Sequence, residues 1–198
     1  MKNFLFAALT VAVLVIGGII FYKYSGKQTT TFNDQEQNKI NTTTPMTISS
    51  PAFLDGQGIP KQYTCDGDGI NPPLQFSSVS GEAKSLALLV EDPDAPAGTW
   101  IHWLMWNISP AVNQIAENSV PQGAVQGRGS SGQSVYGAPC PPAPTVASGP
   151  SGIHHYIFTL YALDSELNLP SYSTVENLQA AMQGHIISQA RIIALYGR

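Results

Sequence analysis

Two acids and three histidines carry the chemistry this chain can offer. The stretch Glu91–Trp103, EDPDAPAGTWIHW, sets Asp92 and Asp94 beside Pro93 and Pro96. Proline fixes φ and removes a backbone donor, so this turn is stiff and aims its carboxylates in fixed directions. His102 follows within an apolar run, and His154 and His155 open another, with Tyr156 behind them. An imidazole N–H can donate to an anion while a carboxylate accepts from the other ring nitrogen and fixes the tautomer. That pattern points to a small anion pocket built from Asp92, His102 and His154. Two plainer readings compete: a turn with merely exposed acids, and a histidine that is only a satisfied core residue. The clustering of three of the four histidines at the margins of two strand-like runs favours the site.

Other chemistries find less support. Three histidines and Asp92 would suit zinc, but His154 and His155 are adjacent on one strand and so point to opposite faces, which works against a shared metal. No G-x-S-x-G elbow supplies a hydrolase nucleophile, and a His/Asp acid–base enzyme has no activated partner that can be named. No catalytic residue, metal or cofactor is expected. Residues 127–132, GRGSSG, match G-x-G-x-x-G, yet no strand leads in and no helix follows, so they read as a loop. Lys and Arg total 9 against 13 Asp and Glu, net −4, without a basic cluster, which argues against nucleic acid as a partner.

The elements that must position these residues are mostly strands. Charged residues are only 11% of the chain while Gly (18) and Pro (15) are plentiful, a composition suited to turns and strands. SLALLV (85–90), WIHWLMWNI (100–108), HHYIFTLYAL (154–163) and ARIIALY (190–196) are bounded by turn residues and read as strands. Their nearly continuous apolar character predicts central strands covered on both faces. One helix is expected after a Ser173/Glu176 capping box, with Val175, Leu178 and Met182 as its apolar stripe and Gly184 at its end. His185, just past it, reads as a structural residue favoured by the helix dipole. Many strands with few helices give a mainly β or α+β fold, a β-sandwich being one form of it.

Ahead of this domain, Phe4–Tyr22 (FLFAALTVAVLVIGGIIFY) is uncharged. As a helix it would span about 28 Å, close to a bilayer core. Residues 1–24 therefore read as a transmembrane anchor, or as a signal peptide whose cleavage site is poor. Flanking charges are balanced, so orientation rests on the resemblance of a basic start and apolar run to an export signal, which places the domain outside the cytoplasm: membrane-anchored, or secreted or periplasmic after cleavage. Residues 25–45 are rich in Thr, Asn and Gln and read as a flexible linker. Residues 46–198 form the domain.

The chain resembles the phosphatidylethanolamine-binding protein family, in its bacterial and archaeal Raf-kinase-inhibitor-like branch. The resemblance covers roughly 46–198 and rests on SPAF, IPKQYTCDG, NPPLQF, the DPDAP turn, WIHW, YGAPCPP, HHYIFTLYAL and the closing LYGR. It implies a large central β-sheet packed on a smaller one, with an anion pocket at one end formed by Asp92, Trp100, His102, Pro141, Pro142, His154 and Tyr156, and Tyr136 close by. The implied function is non-enzymatic binding of a phosphate or phospholipid headgroup. The alternative is a protease or kinase inhibitor acting through surface loops. His155 stands where the family more often has Arg, Glu91 where it has Asp, and the connection Ala143–Ile153 is longer than usual. Cys65 and Cys140 fall in loops that the family places near the pocket: in an exported domain they can pair, closing a loop of about 75 residues worth roughly 4 to 5 kcal/mol in the chain-entropy model, or they remain two free thiols. X-Pro bonds at Cys140–Pro141 and Pro141–Pro142 are places where a cis peptide is affordable.

Overall fold

The structure, a computed structural model, describes residues 44–143 and 152–198. The apolar run Phe4–Tyr22, most of the 25–45 linker and the greater part of the Ala143–Ile153 connection lie outside the described residues. Among those described, no helix is long and apolar enough to cross a membrane.

Strands form where the apolar runs lie. In chain order they are β1 (Thr47–Ser49), β2 (Gln57–Gly58), β3 (Leu74–Ser77), β4 (Ser85–Asp92), β5 (Trp100–Ile108), β6 (Gln114–Ile115), β7 (Val125–Gln126), β8 (Ile153–Leu163) and β9 (Ile186–Gly197), with one α-helix, α1 (Val175–Met182), before β9. They assemble as a six-stranded sheet, β2-β9-β8-β4-β5-β7, and a three-stranded sheet, β1-β3-β6. This is the large-on-small arrangement expected. All described peptide bonds are trans, those of Pro141 and Pro142 included.

The core explains which apolar runs could be continuous. One layer, between the sheets, joins Leu86, Leu88, Val90, Trp103, Met105, Phe158 and Leu160 to Ile48, Leu74, Phe76 and Ile115. A second layer on the other face joins Ala87, Leu89, Ile101, Leu104 and Trp106 to Leu167, Leu178 and Met182. β4 and β5 are thus covered on both faces. β8 is not: His154, Tyr156, Phe158, Leu160 and Ala162 are buried, while His155, Ile157, Thr159 and Tyr161 alternate with them at least partly exposed. The expectation of two-sided cover fails there because α1, at eight residues, is only about 12 Å long and the second layer draws chiefly on β4 and β5.

Two boundaries shift. The helix N-cap is Thr174, not Ser173, and its partner at the third helical position is Asn177, whose side-chain carbonyl accepts the Thr174 backbone N–H at 3.1 Å. Glu176 instead accepts the Thr174 hydroxyl. Gly184, at φ +82, ends the helix as expected, and β9 then starts at Ile186 rather than residue 190, its polar Ser188 and Gln189 having hidden the strand. His185 acts structurally, but through its ring, with Nδ1 2.7 Å from Asp164 Oδ1.

Candidate functional site

The placement of His102 depends on an irregularity in β5. Val90 of β4 stands opposite Trp103, but the next residue, Glu91, stands opposite Ile101. His102 is therefore an extra residue, a β-bulge, and bulges re-aim side chains. It faces the same side as Trp103: Trp103 packs in the inter-sheet core, and the His102 ring lies edge-on to Tyr156 at 5.1 Å. Regular alternation would have sent one of the two to the opposite face. Because β4 lies between β5 and β8, Asp92 at its end can reach both neighbours. His154 and Tyr156, two apart on β8, share the inner face, and their rings stack at 6.4 Å.

The hydrogen bonds fix the rings. His154 Nδ1 donates to Asp92 Oδ2 at 2.7 Å, and the Asp94 backbone N–H donates to Asp92 Oδ1 at 2.9 Å. His102 Nδ1 lies 2.7 Å from the Gly137 carbonyl, which can only accept, so that nitrogen carries the proton. Gly137 N–H in turn donates to the His102 carbonyl at 2.7 Å. The approach is close enough that a Cβ on Gly137 would stand 3.0 Å from that carbonyl oxygen. On the outer face, Asp94 Oδ2 accepts from His155 twice, from the backbone N–H at 2.8 Å and from Nδ1 at 2.7 Å. His155 thus clamps the acidic turn onto β8.

The group is nearly sealed. Asp92 is 3% exposed, His102 7%, His154 8% and Tyr156 0%, with Trp100, opposite Asp92 on β5, 40% exposed at the edge. Two buried polar atoms in it, His102 Nε2 and the Tyr156 hydroxyl, have no hydrogen-bond partner among the described residues. Burial pulls the His102 ring below the ordinary imidazole range, against the opposing pull of the Gly137 carbonyl and Asp92. Burial, and then the Asp92 charge, pushes the Tyr156 hydroxyl up, so it stays a donor.

Of the residues expected at the site, Asp92, His102, His154 and Tyr156 converge, with Trp100 at the rim. Tyr136 is placed differently: its hydroxyl donates to the Tyr63 carbonyl at 3.1 Å and its ring packs edge-on against Trp103 at 5.5 Å, so it supports the wall. Pro141 is buried and Pro142 exposed, on the loop that leads away from Gly137. That loop is tied down by the Cys65–Cys140 disulfide, Cα atoms 5.4 Å apart, and by the Cys65 N–H bond to the Pro139 carbonyl. Next to Cys65, Asp66 accepts from the Tyr196 hydroxyl and pairs with Arg198 at 3.2 Å. Sequence reasoning missed Gly137, Asp66, Tyr196 and Arg198 as supports. The LYGR and TCDG motifs were visible, but not that they bind each other. Among the described residues no group of three or more metal-ligating side chains forms. GRGSSG is a loop along β5, lining a polar cleft of about 590 Å³ with Glu91, Ile101 and the start of α1, on the face away from His102 and His154.

Comparison with known proteins agrees with this architecture. The sequence pattern of the phosphatidylethanolamine-binding protein family matches residues 49–197. A protein of Methanothermobacter thermautotrophicus named UPF0098 protein is 45% identical over 158 residues, covering 77% of this chain and 99% of its own. LppC of Mycobacterium tuberculosis, named a lipoprotein, is 41% identical over 152 residues, covering 77% of this chain and 72% of its own. Among solved structures, the phosphatidylethanolamine-binding protein homolog CT736 of Chlamydia trachomatis superposes with a TM-score of 0.71 at 45% identity, covering 78% of this chain and 98% of its own. YbcL of E. coli gives 0.70 at 28% identity, with 77% and 98% covered. With the fold, the family pattern and these relatives in agreement, this chain belongs to the phosphatidylethanolamine-binding protein family.

Proposed function

We propose that the domain is a non-enzymatic binding module whose ligand is a small oxyanion, a phosphate or phosphate-bearing headgroup, held between His102, His154 and Tyr156, with Asp92 orienting His154. One observation carries this reading: two polar atoms, His102 Nε2 and the Tyr156 hydroxyl, on rings 5.1 Å apart, are buried with no partner among the described residues. Such groups are rare and costly, of order 1–3 kcal/mol each, and a ligand that satisfies both explains their retention. Trp100 and Pro141 would shape the entrance. The test is titration of inorganic phosphate or phosphoethanolamine against the histidine ring resonances. His102 and His154 should shift together with saturation; unmoved rings would remove the proposal.

We further propose that Phe4–Tyr22 holds this module outside the cytoplasm through the 25–45 linker. The name of the relative LppC is in keeping with membrane attachment, and a structural disulfide suits an oxidising compartment. Fractionation of cells should find the full chain with the membrane, its domain accessible to protease added from outside; a chain protected from that protease would refute the orientation.

A further inference from the structure

The two rings offer an anion less than two histidines usually do. His102 spends its Nδ1 proton on Gly137 and His154 spends its own on Asp92. In the neutral rings each Nε2 is therefore a lone pair, an acceptor, and the Tyr156 hydroxyl is the one donor left among the three. Among the described residues, the titratable groups facing His102 are Asp92 from β4 and His154 and Tyr156 from β8, with Tyr136, Asp94 and Tyr196 around Tyr156 and His155 bonded to Asp94. No lysine or arginine stands among them, and the nearest charge is the Asp92 carboxylate. A fully ionised oxyanion placed here would meet two lone pairs and a like charge.

Building on the anion-site reading, we infer that the site binds its anion together with a proton, and that the ligand is a phosphate monoester or inorganic phosphate rather than the diester phosphate of an intact phospholipid. One added proton, on an Nε2 or shared between it and a phosphate oxygen, turns a repelling lone pair into a donor and offsets the Asp92 charge. A monoester supplies that proton readily, because its second ionisation falls near pH 6, close to that of imidazole. A diester has no such proton and must draw one onto a buried ring. The Gly137 and Asp92 contacts leave the rings no other tautomer without breaking a bond.

Calorimetry of the domain with phosphoethanolamine, in buffers of differing ionisation enthalpy, counts the protons directly. At pH 7.5, above both ionisations, about one proton should be taken up per ligand bound, and affinity should fall about tenfold per pH unit from 7.5 to 9. Glycerophosphoethanolamine, the diester, should bind at least tenfold more weakly at pH 7.5. Binding without proton uptake and with pH-independent affinity would overturn the proton linkage while leaving the anion site standing. A diester that binds as tightly as the monoester would overturn the choice of ligand. Absence of heat and of any histidine shift with either ligand would remove the anion site itself, and this inference with it.

Discussion

His154 Nδ1 and Asp92 Oδ2 meet at 2.7 Å just past the last backbone pair of their strands, Glu91 opposite Ile157. A side-chain bond thus continues the ladder after the backbone ladder has ended, and it uses one carboxylate oxygen while Asp94 N–H uses the other. Asp92→Asn can supply only one acceptor. Its amide must either face the Asp94 N–H, breaking the turn, or donate to His154 Nδ1 and drive the ring proton to Nε2. The expected result is a loss of about 1–3 kcal/mol in stability, with the His154 ring nitrogens changing their protonation pattern in 15N spectra. An unchanged tautomer at unchanged stability would show that the bond does not hold the ring.

Tyr156→Phe separates fold from function. The hydroxyl is buried without a partner among the described residues, so its removal relieves an unsatisfied group and should leave stability unchanged or raise it by up to about 1 kcal/mol. The same change deletes a donor to the anion, and phosphate affinity should fall about tenfold, as for loss of one hydrogen bond to a charged partner. Chemical denaturation alongside phosphate titration reads both effects. Lower stability with intact binding would mean the hydroxyl serves the fold.

How much of this was legible depended on whether a residue announces its own geometry. The DPDAP turn did, because proline restricts φ wherever it stands, and Asp92 lies where a stiff strand-end turn should put it. His154 did, since alternation on β8 separates it from His155 and places it with Tyr156. His102 did not: in WIHWLMW every neighbour is apolar, so the run offers no polar–apolar frame in which a one-residue bulge could be noticed. Gly137 was hidden for a related reason, its role being a carbonyl and an absent Cβ, both set by the fold around it. The cap moved from Ser173 to Thr174 because Ser-Thr offers two hydroxyls in succession and only the tertiary path chooses between them.

The pH dependence of folding follows from His102. An imidazole held below its ordinary value binds fewer protons folded than unfolded, so stability is full above about pH 6.5. It should fall as pH drops from there toward the lowered folded value, and flatten below it. Urea midpoints between pH 8 and 5 should trace that decline, and His102→Asn, which retains a donor for Gly137, should reduce it. The carboxyls of Asp94, where burial is outweighed by the bonds from His155, and of Asp66, lowered by the bond from Tyr196, act only further down, below about pH 4. Saturating phosphate should weaken or reverse the His102 slope, because the bound state favours the protonated ring.

Gly137→Ala probes the contact that sets the His102 tautomer. The added Cβ would stand 3.0 Å from the His102 carbonyl oxygen, so the strand or the loop must shift by a few tenths of an ångström and both 2.7 Å bonds lengthen. A cost of about 1–3 kcal/mol is expected, with the His102 ring resonance displaced and that of His185, paired with Asp164 elsewhere, unchanged. Equal displacement of both would indicate a general loosening.

The disulfide should matter more to stability than to the anion. Cys65 and Cys140 are 75 residues apart, and a crosslink of that span typically contributes about 2–5 kcal/mol by restricting the unfolded chain. The folded loop keeps other ties when the crosslink is lost: the Cys65 N–H bond to Pro139, the Tyr136 bond to Tyr63 and the two bonds between Gly137 and His102. The double substitution Cys65→Ser/Cys140→Ser should therefore lower the urea midpoint markedly while phosphate affinity falls only a few-fold, and the unsubstituted domain should show no free thiol on denaturation without reductant. An affinity loss as large as the stability loss would mean that the crosslink, more than the backbone contact at Gly137, holds His102 in place.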